Sequence, residues 1–265
     1  MDLFNVTRGE CPLLVSIPHA GTFIPGDIQA RMTADACLLT DTDWHLPMLY
    51  DFLGELDVSV LAANYSRYVV DLNRSPRAER LYPGRFETGV CASETFEGLP
   101  LYVSGAGPTE DEVAARLDAY WRPYHERLKE DLSRIRGRHG YAILFDAHSI
   151  ANVVPMLFEG VLPDLNVGTN SGRSCADSIA DAVMAVAAGA SGHSAVIDGR
   201  FKGGYITRYY GRPQESIHAI QLELSQDTYM NQNYPFDFID SKAATIRPVL
   251  KRIVDALSAV EIGRA

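Results

Sequence analysis

Leu13-Leu14-Val15-Ser16-Ile17-Pro18-His19-Ala20-Gly21 sets a short apolar run directly before a proline, a histidine and a glycine. A run of that length bounded by turn residues reads as a buried strand. The same order recurs downstream, where Ala142-Ile143-Leu144-Phe145 precedes Asp146-Ala147-His148-Ser149. It recurs again in Ile220-Gln221-Leu222-Glu223-Leu224, which leads into Ser225 and Gln226. Ligands of an open α/β sheet gather beyond the carboxyl ends of its strands, so three separate strands deliver titratable groups to one edge.

Working outward, runs of strand character cover 13–17, 59–63, 68–72, 141–145, 194–197 and 219–224. Helical spacing covers 44–56, 110–138, 175–188 and 241–260. Strands alternating with helices imply a layered α/β fold around a largely parallel sheet. The stretch 75–109 carries Pro76, Pro83, Gly84, Gly89, Gly98, Pro100, Gly105, Gly107 and Pro108. It is expected to be an irregular excursion, and such long loops commonly form lids or pocket walls. No repeat, low-complexity tract or domain boundary interrupts residues 1–265, which are expected to act as one domain.

With 46% hydrophobic and 22% charged residues, the composition is that of an ordinary soluble globular protein. A formal net charge of -10 and a pI near 5.1 argue against nucleic acid as a partner. Small anionic substrates stay open, because screening makes a few nearby arginines count more than the global sign. Cys11, Cys37, Cys91 and Cys175 form no CxxC pair and are expected to be reduced, mostly buried thiols. No stretch has the length of a membrane span, and the first residues show no leader pattern, so a cytoplasmic protein is expected. Nothing in the chain fixes its oligomeric state.

Two histidines and a carboxylate are the ligand set of many hydrolytic zinc sites, which keep a fourth position open. His19 and His148 fit the histidine roles, since a single histidine near a strand end is more often a satisfied polar residue but two in matching settings point to a ligand pair. Asp41-Thr42-Asp43 opens a predicted helix and can supply the carboxylate. Asp41 can equally cap that helix, which makes Asp43 the preferred ligand. His125, His139, His193 and His218 read as surface or packing residues, with His45 as a reserve ligand. Glu223 lies inside a strand, where a carboxylate is costly to bury without a partner or a task. General base is the natural task, taking a proton from the attacking water and passing it to a leaving nitrogen while the metal activates that water; a buried salt bridge or an edge position is the alternative.

Ser66-Arg67-Tyr68-Val69-Val70-Asp71-Leu72-Asn73-Arg74 ends on an asparagine and an arginine suited to grasping a carboxylate. Arg74 is the first candidate for substrate binding, with Arg67 on substrate or polarising the scissile carbonyl. Asp71 reads as orienting an arginine or pairing with Arg74. The segment 198–208 mixes cations, two glycines and a tyrosine, and offers Arg200, Lys202 and Tyr205 for substrate contact. It is no phosphate-binding Walker loop, because its lysine precedes the glycines and no GK[ST] follows. A glycine-rich phosphate loop is also missing after the first strand, where His19 stands instead.

Taken in order, IPHAG, DTDWH, SRYVVDLNR, FDAHS, GRFKGGYITRYYG and IQLELSQ resemble the successive motifs of the N-formylglutamate amidohydrolase family, over nearly the whole chain. That family is similar in turn to zinc carboxypeptidases, which share the order histidine, carboxylate, asparagine-arginine, histidine, glutamate. The resemblance implies a single three-layer α/β domain with a mostly parallel mixed sheet, of the carboxypeptidase-like (phosphorylase/hydrolase-like) kind. It also implies one Zn2+ on His19, Asp43 and His148, catalysis by Glu223, and carboxylate recognition by Asn73 and Arg74. One departure is that carboxypeptidases place their first two ligands in HxxE, whereas Thr22 occupies that position here. The implied reaction is hydrolysis of N-formyl-L-glutamate to formate and L-glutamate in histidine degradation, with cations among Arg74, Arg67, Arg200, Lys202 and Arg208 meeting its two carboxylates. Rival readings are a related hydrolase of another N-acyl amino acid or short peptide, and a non-catalytic binding protein for acidic amino acids.

Overall fold

The structure is a computed structural model that describes residues 1–77, 79–82 and 84–262. Seven strands form one sheet: β1 (Phe4–Thr7), β2 (Leu13–Ile17), β3 (Ser59–Ala63), β4 (Ala142–Ile150), β5 (Leu165–Gly168), β6 (Ala195–Ile197) and β7 (Ile217–Ser225). Their order is β1-β3-β2-β4-β7-β5-β6. The middle four, β3, β2, β4 and β7, run parallel. β1 is antiparallel to β3 and β5 to β7, while β6 follows β5, so the sheet is mixed.

Seven helices accompany the sheet in the described residues: α1 (Gly26–Gln29), α2 (Leu46–Leu49), α3 (Glu110–Arg116), α4 (Arg122–His139), α5 (Asp177–Ala188), α6 (Tyr205–Tyr210) and α7 (Asp240–Ala259). α3 starts where the Thr109 side chain accepts the Glu112 N–H, with Glu110, Asp111 and Glu112 in the first turn to meet the positive helix end. A π-type turn, Leu117–Trp121, joins α3 to α4 just ahead of Pro123, which has no N–H to give the regular ladder.

Alternation along the central strands sorts the two faces. Leu13, Val15, Phe145, Ile220 and Leu222 pack with α5 and α7 through Ile179, Val183, Ile246 and Leu250. Leu14, Leu144 and Ala219 turn the other way, onto Leu128 and Leu132 of α4 and Ile206 of α6. Side chains of period two thus make a three-layer fold with one core on each face of the sheet.

Several local expectations change. Residues 68–72 form turns rather than a strand, with the Asp71 N–H donated to Val90. Their apolar side chains are buried because the loop is wedged between cores, not because it joins the sheet. The helix expected over 44–56 shrinks to α2 and a 3-10 turn, Asp51–Glu55, because His45 holds a left-handed φ of 62°. His45, not Asp41, precedes that helix, so Asp41 is not its cap. Residues 205–210, expected as loop, form α6, and the short strands β1 and β5 carried no clear run. All four cysteines are free thiols, but Cys37 is exposed and only Cys175 is buried. Among the described residues no helix is long and apolar enough to cross a membrane.

His125 of α4 shows how tightly the second face is closed. Its ring stacks on Trp121 at 3.6 Å between centroids, and its Nε2 donates to the Leu72 carbonyl at 2.9 Å. Burial pushes its pKa down to about 3. The native ring therefore stays neutral while the unfolded ring, with a pKa of 6.5, takes up a proton. Stability is full above that value and is lost as pH falls from 6.5 towards about 3. In urea titrations across that window, His125→Gln is expected to flatten the dependence of unfolding free energy on pH by close to one proton.

Candidate metal centre and its cavity

On the face of the sheet that packs against α4 and α6, the apolar series of β4 and β7 turns polar at the carboxyl ends. Ala142 and Leu144 give way to Asp146 and His148, and Ala219 gives way to Gln221 and Glu223. His148 and Glu223 are paired across the two parallel strands, and Asp146 is paired with Ser16 of β2. His19 follows two residues after β2, and its carbonyl accepts the Asp43 N–H at 3.1 Å, which brings the Asp43 loop under the strand ends.

His19, Asp43 and His148 are buried, and one ligand atom from each lies within 4.8 Å of the others. Asp43 Oδ2 is 3.2 Å from His148 Nδ1 and 3.9 Å from His19 Nδ1. Both rings turn Nε2 outward to a second carboxylate, His19 to Asp71 at 2.8 Å and His148 to Asp146 at 2.9 Å. A carboxylate behind each imidazole fixes ring orientation and tautomer, the usual support of a metal-ligating histidine. Asp43 Oδ1, 3.6 Å from Arg67 Nη1, is buried without a hydrogen bond among the described residues. One carboxylate oxygen, Oδ2, facing two imidazole nitrogens supplies the donor set of a divalent cation of the zinc class, so these three residues could hold one.

Charge in the cluster is closely balanced. Burial, aided by Arg67, lowers the pKa of His19 despite Asp71. For His148 burial acts the same way, but Asp146 and Asp43 outweigh it and raise the pKa well above 6.5. Burial pushes Glu223 up to about 8, with Asp43 and Asp146 adding to it and His148 and Arg67 opposing it. Asp41 is pushed up to about 6 by burial, against Arg67. Its carboxylate accepts the Phe96 N–H at 2.9 Å and stands outside the three-residue group, so between the two aspartates it is Asp43 that faces the histidines. His45, the reserve ligand, is directed instead to the Phe236 carbonyl.

A cavity opens on the centre, lined in part by His19, His148, Glu223, Arg67, Arg74 and Arg200. Arg67 gives Nη2 to Asp71 and Nη1 to the Asp41 carbonyl, and these aspartates with Asp43 hold it protonated against burial. Arg74 bonds to the carbonyls of Thr88 and Asn73. Arg200 donates Nε to the Leu157 carbonyl, and its buried Nη1 has no partner among the described residues. Asn73 reaches the cavity, but its amide accepts the Ile206 N–H and donates towards Asp146. Lys202 and Tyr205 do not line it. Lys202 is exposed, and Tyr205 stacks on Tyr209 at 5.0 Å in the aromatic group around α6. Arg208 is likewise turned away, to the Gly203 and Leu81 carbonyls.

Sequence reasoning overlooked Asp146 and Gln221, although each lies two residues before a named residue on a strand and therefore shares its face. It also overlooked Tyr82 and Phe96, cavity residues from the 75–109 excursion for which only loop length gave a signal.

A buried two-histidine, one-aspartate centre beside a glutamate, at the carboxyl ends of parallel strands, defines an α/β protein of the hydrolase type. The family model for N-formylglutamate amidohydrolase matches residues 11–230, and the chain belongs to that family. An N-formylglutamate deformylase of Pseudomonas aeruginosa is 47% identical over 258 residues, covering 97% of each chain. One from Pseudomonas putida is 47% identical over 252 residues, covering 95% of this chain and 94% of its own. An N-formylglutamate amidohydrolase structure from Ralstonia eutropha shares the fold at a TM-score of 0.81 with 24% identity, over 97% of this chain and 98% of that one.

Gly204, before α6, gives its N–H to Gln221 Oε1, and a Cβ there would lie 2.3 Å from the Asn73 amide. Gly204→Ala is expected to displace Asn73 from the α6 N–H groups and cost about 1–3 kcal/mol in urea unfolding. Gly137→Ala on exposed α4, with nothing within 4 Å, should instead stabilise by about 0.5–1 kcal/mol.

Proposed function

We propose that this chain hydrolyses N-formyl-L-glutamate to formate and L-glutamate, using one zinc ion held by His19, Asp43 and His148, as the closing step of a histidine-degradation route. The observation that carries the reading is the convergence of those three residues beside Glu223, at a cavity that also holds Arg74 and Arg200. The names of the two Pseudomonas relatives support the choice of substrate.

A bound zinc ion would supply Lewis acidity, lowering the pKa of water and polarising the formyl carbonyl. Glu223 takes a proton from the attacking water at its carboxylate and delivers it to the glutamate nitrogen as the C–N bond breaks. A divalent charge nearby favours the ionised form of Glu223, offsetting the burial that raises it to about 8. Arg74 and Arg200 meet the two substrate carboxylates, whereas Arg67, pinned by Asp71, presents positive potential at the carbonyl oxygen. Asn73 serves this wall by holding the start of α6 in place.

Purified protein is expected to carry one zinc per chain, to lose activity on chelation and to regain it with zinc or cobalt. Asp43→Asn should strip the metal, while Asp41→Asn should leave metal content intact. Glu223→Gln should retain metal but lower kcat by about 10²–10⁴. Arg200→Ala should raise KM for N-formylglutamate more than for an analogue with one carboxylate. Absence of stoichiometric metal, with no response to chelation, would sink the mechanism. Faster turnover of N-formylaspartate or N-acetylglutamate would sink the substrate assignment.

A further inference from the structure

Phe96 stands between two cavities. One is the cavity of the centre, and the other is lined by residues that include Thr40, Asp41, Val154, Gln226 and Gln232. Phe96, Ser149 and Ile150 line both. The Phe96 residue is held by three kinds of contact. Its N–H is held by Asp41 at 2.9 Å, its face lies 4.7 Å from the Arg67 guanidinium carbon, and it packs in a buried cluster with Ile150, Val154 and Leu162. It therefore forms the partition between the two cavities.

The two cavities differ in charge. Arg67, Arg74 and Arg200 line the first, whereas the second has no cation among its described lining and carries the Asp41 and Glu97 carboxylates and two glutamine side chains. An anionic amino-acid portion is drawn into the first. The second disfavours an anion and admits a neutral group. Arg67, which faces the carbonyl oxygen in the proposed reaction, lies 4.7 Å from the Phe96 ring, so a group carried by the acyl carbon lies against that ring.

We propose that Phe96 limits the acyl group of the substrate to formyl, and that the cavity behind it is the space a larger neutral acyl group would occupy once the ring is removed. This rests on the reading of the centre as an N-acylglutamate hydrolase. One methylene more or less in an apolar pocket changes selectivity by about 10–200-fold, so a ring that closes the space beyond the formyl position is a sufficient cause.

The test is kcat/KM of the zinc-loaded protein for N-formyl-, N-acetyl- and N-propionyl-L-glutamate. Phe96→Ala is expected to raise the acetyl-to-formyl and propionyl-to-formyl ratios about tenfold to a hundredfold. Phe96→Leu, which keeps an apolar surface under Arg67, should shift them less in the same direction. Adding Ala151→Phe to Phe96→Ala refills the second cavity from its own lining and should return the ratios towards wild type. Unmoved ratios in folded Ala and Leu variants, or loss of all three activities in both, would overturn the role of Phe96. Wild-type protein inactive on every N-acylglutamate would instead overturn the functional reading on which it rests.

Discussion

The centre hangs on one buried carboxylate outside the group of His19, Asp43 and His148. Asp71 Oδ1 receives His19 Nε2 and the Asn73 N–H, each at 2.8 Å, and Oδ2 receives Arg67 Nη2 at 2.8 Å. Burial alone would favour its protonated form. His19 and Arg67 reverse that and hold the pKa well below the usual range. Charge compensation is thereby obtained from the same groups that the carboxylate positions. A buried ion left without its partner costs several kcal/mol, so the three contacts stand or fall together. The turns at 68–72 have their shape for this reason, since they carry Arg67, Asp71 and Asn73 into one point beneath β2 and β4.

The sheet contributes a second constraint. Because side chains alternate in direction, one face of β4 and β7 can be apolar at the start of each strand and polar at its end without disturbing the other face. Ala147, Leu222 and Leu224 go on burying apolar surface against α5 and α7 beside the very positions where His148 and Glu223 face the cavity. His148 and Glu223 thus sit on paired strand backbone, and the polar cluster is sealed below by Leu144, Ala219 and α4. Its floor is polar too, since Ser16 donates to Asp146 at 3.0 Å and so satisfies the carboxylate behind His148.

This arrangement sets what the sequence could disclose. Strand runs at β2, β3, β4 and β7 were legible because each is short, apolar and bounded, and residues just beyond β2 or late within β4 and β7 line the cavity. Helices α4, α5 and α7 were legible from spacing. Residues 68–72 misled because burial of a loop leaves the same apolar signature as burial of a strand. Asp41 misled because an aspartate before helical spacing reads as a cap, while its actual partner, the Phe96 N–H, is far along the chain. Lys202 and Tyr205 looked suited to an anion by residue type alone. Which cations of a loop turn inward depends on neighbours such as Tyr82, whose ring lies under both Arg200 and Arg208 while its hydroxyl accepts the Lys202 N–H.

Three arginines reach the cavity of this acidic protein, and their partners sort them. Arg67 is surrounded by Asp71 and Asp43, so its charge is already balanced inside the protein. Arg74 and Arg200 have no carboxylate within 4.0 Å among the described residues, and are held by carbonyl oxygens instead. A carbonyl fixes the direction of a guanidinium without cancelling its charge. Arg200, set between the Tyr82 and Phe201 rings with a buried Nη1 that has no partner among the described residues, is thus preorganised for an acceptor that the described residues do not supply. The excess of acidic residues elsewhere in the chain favours keeping these two guanidinium groups charged, so the cavity holds positive charge at a fixed place inside an acidic protein.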